Sequence, residues 1–138
     1  MPSLVRVRIV VSERVQEVPA VRVSVDDVIY MPSLDAPSDR PHPFVYFVTI
    51  RNNGITPVTV RARKWVIEQN SGEHLVVEGD GVVGQFPCIQ PNSAFAYNSY
   101  HVVGDDAKVR GAFFLEKLSG DIAYVSIPEF KLCVPRWV

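Results

Sequence analysis

The stretch that decides the fold is Phe44-Val45-Tyr46-Phe47-Val48-Thr49-Ile50-Arg51. Aromatic and β-branched residues fill it, and these are the residues that fit a pleated, half-buried strand. It is followed by Asn52-Asn53-Gly54, a sequence suited to the positive φ angles of a tight hairpin turn. The pattern predicts a central β-strand that ends in a hairpin.

A period of two residues recurs on both sides of this strand. Apolar residues alternate with charged or polar ones over residues 5–11 and 21–25, which is typical of strands with one buried face. Further strands are predicted over residues 95–101, 108–118 and 122–134. Because no window of a dozen residues has apolar residues at helical spacing, the sequence predicts almost no helix.

The face on which the apolar residues lie changes twice along the chain. The first change falls between Ala62 and Trp65, and the second falls at Pro128. A β-bulge or a switch of sheet changes the face in this way. Since proline cannot donate a ladder hydrogen bond, Pro128 marks an edge strand or a bulge.

Short strands with apolar residues on both faces predict an all-β fold, a two-sheet antiparallel sandwich of about seven or eight strands. An open barrel is the alternative. The 138 residues suit one domain, and the proline-rich segment 31–43 is expected to be an exposed loop. The residues expected to point inward are Val48, Ile50, Trp65, Phe113 or Phe114, Ile127 and Phe130.

Composition and charge narrow the classes of partner. The chain is 47% apolar and 21% charged, with a net charge of −1, so it offers no bulk attraction to nucleic acid or to an anionic membrane. The N-terminus lacks the apolar core of a signal peptide, and no stretch is long enough to span a membrane. Cys88 and Cys133 lie in apolar segments, where we expect buried, reduced thiols, with a disulfide as the alternative. The cytoplasm is the expected location.

A glycine-rich segment, Gly79-Asp80-Gly81-Val82-Val83-Gly84, matches the pattern G-x-G-x-x-G. A dinucleotide site would need a helix to begin here, yet Pro87 and Pro91 follow closely. The glycines therefore indicate positive φ angles and close backbone packing. Successive amides that form a nest for phosphate or carboxylate are the alternative. The candidate loop for an anion or a partner comprises Gly79, Asp80, Gly81 and Gly84.

A second candidate contact is the basic and aromatic pair Arg63 and Trp65, which lie in one predicted strand next to Arg61 and Lys64. Single-stranded nucleic acid can use such a set. The alternative, which the net charge favours, is that Trp65 fills the core while the arginines pair with surface carboxylates.

The sequence offers no pattern of catalytic or metal-binding residues. His42, His74 and His101 lack metal-ligand spacing, and no serine lies in a G-x-S-x-G elbow. We therefore expect no metal, no cofactor and no catalytic residues, so the chain is predicted not to be an enzyme.

Four segments together resemble the ApaG family. They are Tyr46–Asn52, Arg63–Ile67, the run Glu78 to Gln85 that contains E-G-x-G-V-V-G, and the run Ile127 to Pro135 that reads I-P-x-F-x-L-x-V-P. They occur in the family's order, and the joint presence of the last two is more specific than either alone.

The resemblance implies an immunoglobulin-like or fibronectin-III-like sandwich over residues 20–135, preceded by an extension, residues 1–19, that we expect to add an edge strand. It implies a small bacterial protein associated with cobalt and magnesium tolerance or efflux. The same domain is attached to an F-box protein and to a DNA polymerase delta interacting protein, which suggests a protein as the partner. The alternative is a binder or hydrolase of small anions or nucleotide phosphates that uses the glycine-rich loop.

Overall fold

The structure is a computed structural model that describes residues 16–136. This part of the chain contains strands and no helix, as predicted. The eight strands are β1 (Val21–Tyr30), β2 (His42–Asn52), β3 (Val58–Gln69), β4 (His74–Asp80), β5 (Cys88–Ile89), β6 (Ser93–Val103), β7 (Ala107–Lys117) and β8 (Ile122–Leu132).

The strands form two antiparallel sheets, and neither closes into a barrel. One sheet has three strands in the order β1-β2-β6, so the strand that contains residues 44–51 is central, as predicted. The other has five strands in the order β4-β3-β7-β8, with β5 also paired to β3. Strand β1, at one edge of the first sheet, lies against β8, at one edge of the second. The opposite edge of the first sheet is β6, and the opposite edge of the second is formed by β4 and β5, which pair with successive parts of β3.

The core lies between the two sheets and is built from alternate residues of β2, β3, β7 and β8. Burying these side chains provides the main stabilisation of the fold. Five of the residues predicted to point inward are buried: Val48, Ile50, Trp65, Phe113 and Ile127. Of the two alternatives Phe113 and Phe114, the buried one is Phe113. Phe130 is only partly buried.

Both predicted changes of face are β-bulges. The register of β3 against β7 shifts between Val60 and Ala62, slightly earlier than the sequence suggested. The register of β7 against β8 shifts where Val109 pairs with Phe130 and Gly111 with Ile127, so the extra residue of β8 falls beside Pro128. The proline therefore lies in an edge strand at a bulge, where a missing N–H costs little.

The hairpin predicted at Asn52-Asn53-Gly54 is wrong. Strands β2 and β3 belong to different sheets, and Gly54 does not have a positive φ. The buried Asn52 side chain instead donates to the carbonyls of Thr56 and Ile89, at 2.8 and 3.0 Å, and accepts from the amide of Gly54. Its hydrogen bonds satisfy backbone groups where the chain crosses between sheets, a role that a turn motif does not reveal.

The predicted extension at residues 1–19 falls mostly outside the described residues. Within them, Val18 donates to the carbonyl of Tyr124 at 2.9 Å, and Tyr124 donates to the carbonyl of Gln16 at 3.1 Å. These two bonds place Glu17 in a short parallel bridge at the edge of β8. The extra strand over the rest of the extension stays a prediction.

The expectation of buried thiols is wrong, because Cys88 and Cys133 are both exposed. Both are free, so the alternative of a disulfide is also excluded. Cys88 precedes the buried Ile89 in β5, where the alternation of a strand turns it outward. Cys133 follows Leu132, the last residue of β8. Among residues 16–136 there is no helix with the length and apolar character needed to cross a membrane.

Candidate functional site

The glycine-rich segment is a hairpin that projects from the edge of the five-stranded sheet. Strand β3 pairs with β4 along residues 62–68 and with β5 at residues 58 and 59. The edge line of β4 and β5 is thus interrupted by residues 81–87, which leave the sheet and return to it. We call residues 81–86 the edge hairpin.

The tip of the edge hairpin is a tight turn. Val82 and Gln85 exchange two backbone hydrogen bonds of 2.9 Å, and the two residues between them, Val83 and Gly84, have φ angles of 43° and 78°. Two central residues with positive φ define a type I′ turn. Glycine adopts this conformation freely, but a β-branched residue such as Val83 does so at a cost.

Gly81 allows the hairpin to close. Its φ is +62°, and a β-carbon at this position would lie 2.2 Å from the carbonyl oxygen of Gln85. Its amide donates to the carbonyl of Arg61 at 2.8 Å, which ties the start of the hairpin to β3. Two requirements, the backbone angle and the close approach, therefore both demand glycine here.

Arg63 braces the start of the same hairpin. Its Nη1 donates to the carbonyl oxygens of Asp80 and Gly81 at 2.9 and 3.1 Å. The guanidinium rests on Gly79, where a β-carbon would come within 2.8 Å of Nη1. The sequence named Arg63 and the glycines as separate candidates, and the structure brings them into contact.

Three amides of the edge hairpin are used within the protein. Gly81 donates to Arg61, Val82 donates to Gln85, and Gln85 donates to Val82. An anion nest needs successive amides that point at the ligand. These three point at carbonyl oxygens of the chain itself.

Four exposed apolar side chains lie on β4 and the edge hairpin. Among the residues described, large apolar side chains that are at least 36% exposed include Val76, Val77, Val83 and Phe86, with exposures of 54, 38, 47 and 50%. The guanidinium carbon of Arg61 lies over the Phe86 ring, 5.0 Å from its centroid. Val76 and Val77 are neighbours in β4 and face opposite sides of the sheet, whereas Val83 and Phe86 expose apolar surface on the edge hairpin itself. Exposed apolar surface of this kind is typical of an interaction site.

A small cleft lies next to Phe86, because Arg61 both lines the cleft and covers the Phe86 ring. It has a volume of about 240 Å³ and is lined by Pro57, Thr59, Arg61, Cys88, Glu116, Lys117 and Leu118. Arg61 Nε and Glu116 Oε1 are 3.4 Å apart in it. The cleft places polar side chains and the exposed thiol of Cys88 beside the edge hairpin.

Trp65, the other predicted contact, is not at the surface. It is fully buried, and its ring packs against those of Tyr46 and Phe113, with centroids 4.8 and 6.3 Å away. The favoured alternative, a core tryptophan, is therefore confirmed. The arrangement leaves no face of Trp65 for stacking with a base.

An aromatic cluster around Trp65, which the sequence did not indicate, contains polar atoms. His101 stacks on Tyr46 at a centroid distance of 4.6 Å. Buried atoms without a hydrogen-bond partner among the described residues are Trp65 Nε1, Tyr97 Oη and His101 Nε2. The strand alternation of β6 could have placed Tyr97 and His101 inward, because they share a face with Phe95.

Burial changes the acidity of this cluster. It lowers the pKa of His101 to about 4, because the protonated ring would lose its hydration. It also raises the pKa of Tyr46, against the opposing effects of the Ser99 hydroxyl and the positive charge of Arg63. Burial, with the neighbouring Tyr46, raises the pKa of Tyr97 in the same way. All three side chains are uncharged near neutral pH.

The histidines lie apart from one another. His42 Nδ1 lies 2.9 Å from the hydroxyl of Tyr30, His74 Nε2 lies 3.8 Å from Glu68, and His101 is in the core. Within residues 16–136, no group of three or more histidine, cysteine, aspartate or glutamate side chains is placed to hold a metal ion.

Comparison with known proteins gives consistent matches. The family model described as the ApaG domain matches residues 32–117. A protein named ApaG from Enterobacter sp. is 36% identical over 121 residues, which cover 87% of this chain and 96% of the relative. A protein of the same name from Bdellovibrio bacteriovorus is 38% identical over 109 residues, or 78% of this chain and 86% of the relative.

Solved structures agree with these sequence matches. A crystal structure of a Bordetella pertussis protein assigned as ApaA is 33% identical, with a TM-score of 0.75, and the match covers 88% of this chain and 98% of that one. The solution structure of a protein of the late embryogenesis abundant type is 14% identical with a TM-score of 0.57, over 86% of this chain and 75% of that one. This second likeness extends to the fold alone.

Proposed function

Because the chain belongs to the ApaG family, we propose that it is a non-catalytic protein-interaction module whose partner binds the edge hairpin and β4. The observation that carries the proposal is the exposure of the apolar side chains of Val83 and Phe86 on the edge hairpin, with Val76 of β4 also exposed. Aromatic side chains and arginine, here Phe86 and Arg61, are enriched at the core of protein interfaces.

The edge hairpin is held in place before a partner arrives. Val82 is fully buried and anchors the hairpin in the core, and Arg63 fixes its first carbonyls. Val83 keeps an unfavourable backbone angle at the exposed tip. Strain that persists at an exposed position supports a role in binding, and a rigid contact loses less conformational entropy when it binds.

The edge of β4 offers a second kind of contact. Its odd-numbered residues bond to β3, since the amide of Gln69 donates to the carbonyl of Glu73, two residues before Leu75. The backbone groups of Val76 therefore point away from the sheet. An extended segment of a partner can add to such an edge by main-chain hydrogen bonds.

The histidine contacts support the absence of catalysis in this proposal. Two of the three rings hydrogen-bond or ion-pair locally, and the third is held in the core. A general base needs to reach a substrate proton, and His101, with its exposed fraction of 5%, is shielded from solvent.

The family resemblance supplies the rest of the proposal. The fold is immunoglobulin-like or fibronectin-III-like, the protein acts in the cytoplasm, and its partner belongs to cobalt and magnesium homeostasis. The link to these cations runs through the bound protein rather than through an ion held by this chain.

A capture experiment with one matched control tests the proposal. Wild type, Phe86→Asp and Ile55→Asp are immobilised and exposed to the same bacterial lysate at moderate salt. Phe86 lies in the edge hairpin, whereas Ile55 is 93% exposed in the loop between β2 and β3. We expect a partner retained by wild type and Ile55→Asp and lost from Phe86→Asp, with similar melting temperatures for all three.

The same proteins test the alternative of anion binding. If no partner depends on Phe86 and inorganic phosphate raises the melting temperature of wild type, the function moves to a small-anion or nucleotide-phosphate binder at the glycine-rich loop. Retention of the partner by all three proteins would instead place the contact elsewhere on the surface.

A further inference from the structure

We propose that β6 is a self-association edge, through which two copies of this chain pair their β6 strands antiparallel. The two three-stranded sheets would then join across a two-fold axis into one sheet of six strands. This surface is separate from the edge hairpin, so the proposal goes beyond the function proposed above.

The outer edge of β6 presents unpaired backbone groups. At the ends of the β1–β2 pair, Met31 donates to Pro43 and Asn53 donates to Ala20, so the odd-numbered residues of β2 bond to β1. The even-numbered residues of β2 consequently face β6, where their register partners are odd, as in the pair Val48 and Tyr97.

The N–H and C=O groups of the even-numbered β6 residues therefore point away from β2. These residues are Ala94, Ala96, Asn98, Tyr100 and Val102. Among residues 16–136, no other strand pairs with β6. An edge of this kind is a template for pairing with another chain unless charge, proline or a covering segment blocks it.

The composition of β6 favours a second copy as the occupant. The strand Ser93–Val103 has eleven residues, SAFAYNSYHVV, without a lysine, arginine, aspartate, glutamate or proline. In an antiparallel pair about a two-fold axis, the strand faces itself, so any charge would oppose a like charge nearby. The other exposed edge, β4, carries Glu78 and Asp80 and is less suited to self-pairing.

The inward side chains of β6 would gain from the pairing. Phe95 and Tyr97 are only partly buried where they stand at the edge of the core, and their rings lie 5.9 Å apart. Pairing two β6 strands near their centres brings the Phe95 and Tyr97 rings of both copies together. Their remaining exposed apolar surface would then be covered, which is favourable.

The test compares two proline variants of the full chain. Ala96→Pro removes an N–H that points outward from β6, so its ladder with β2 stays intact. Val76→Pro removes the equivalent outward N–H of β4 and is the matched control. In sedimentation equilibrium at high micromolar concentration, we expect wild type and Val76→Pro at twice the 15.4 kDa chain mass and Ala96→Pro at the monomer mass.

Hydrogen exchange locates the interface even where a variant folds poorly. In wild type, the amides of Ala94, Ala96, Asn98 and Tyr100 should gain protection as the protein concentration rises, while that of Val76 should not. Asn98→Lys, which places like charges near each other, should abolish the concentration dependence.

Three results would overturn the proposal. They are a monomeric wild type at all concentrations, a dimer whose even-numbered β6 amides exchange freely, and a dimer that survives Ala96→Pro but is lost in Val7→Pro. The last would assign the interface to the alternating segment at residues 5–11. Loss of partner capture in Phe86→Asp with an unchanged dimer would uphold both proposals separately.

Discussion

The guanidinium of Arg63 lies against Gly79 on the neighbouring strand, where a β-carbon would come within 2.8 Å of its Nη1. The absence of a side chain on Gly79 is what lets Arg63 reach the carbonyls of Asp80 and Gly81. Strand β3 thus controls the shape of a loop that follows a different strand. This relationship makes the edge hairpin sensitive to changes outside it.

The first prediction concerns Arg63→Lys. Lysine keeps the charge but lacks the planar guanidinium that reaches both carbonyls. We expect a loss of about 1 kcal/mol in the free energy of unfolding, the value of a typical hydrogen bond, together with faster hydrogen exchange at Val82. Chemical denaturation measures the first effect, and unchanged stability with unchanged exchange would contradict the bracing role.

The second prediction separates two glycines of the edge hairpin. Gly81→Val forces a positive φ on a β-branched residue and places a β-carbon 2.2 Å from the carbonyl oxygen of Gln85. We expect it to lower the free energy of unfolding by about 3 kcal/mol or more. Gly84→Ala is the matched control, because its φ is +78° but nothing lies within 4 Å of the new β-carbon.

Only the backbone angle should act at Gly84, so the control should lose about 1 kcal/mol. Thermal and urea unfolding of both variants give the comparison. Equal losses would show that the close approach of Gln85 is unimportant. An unchanged melting temperature in Gly81→Val combined with abolished phosphate binding would favour the anion site.

Much of the fold could be predicted from the sequence, because alternation reports directly which face of a strand is buried. Trp65 and Val48 were placed inward for that reason, and both are fully buried. Alternation says nothing about which strands share a sheet. The segment at Asn53 was therefore predicted as a hairpin, although it crosses between sheets and is held by long-range bonds of the Asn52 side chain.

The candidate site was predicted only in part, for a similar reason. The glycine pattern located the edge hairpin, because residues with positive φ angles are most often glycines. The donor role of Arg63 depends on the register of β3 and β4, which pairs it with Gly79. The exposure of Phe86 depends on where the hairpin leaves the sheet. Neither the donor role of Arg63 nor the exposure of Phe86 can be predicted from the neighbouring residues in the sequence.

The third prediction is a pH dependence of stability that arises from His101. Its pKa in the folded protein is lowered from 6.5 to about 4 by burial, so the unfolded chain binds the proton more readily. The stabilising effect of a neutral His101 is complete above pH 6.5 and is lost as the pH falls from 6.5 towards 4. The loss amounts to at most about 3 kcal/mol.

The difference in unfolding free energy between wild type and His101→Phe isolates this effect, because the carboxylates contribute equally to both proteins. Phenylalanine keeps a ring beside Tyr46 and removes the titrating group. We expect wild type to lose stability relative to the variant between pH 6.5 and 4. Parallel pH curves for the two proteins would show that His101 can protonate in the folded state without cost.

The last prediction joins stability and binding at the tip of the edge hairpin. Val83 has a φ of 43° and is 47% exposed, so its side chain gains little from burial while its backbone angle is unfavourable. Val83→Asn should raise the free energy of unfolding by about 0.5 to 1 kcal/mol, because asparagine followed by glycine suits the two positive φ angles of a type I′ turn. Ile55→Asn is the control, since it replaces another exposed aliphatic side chain outside the hairpin.

If Val83 is held in this conformation to contact the partner, Val83→Asn should be more stable than wild type and yet retain less partner in the capture experiment. Ile55→Asn should retain as much partner as wild type. A Val83→Asn protein that is more stable and binds the partner fully would remove the tip from the interface and leave Phe86 and β4 to carry it.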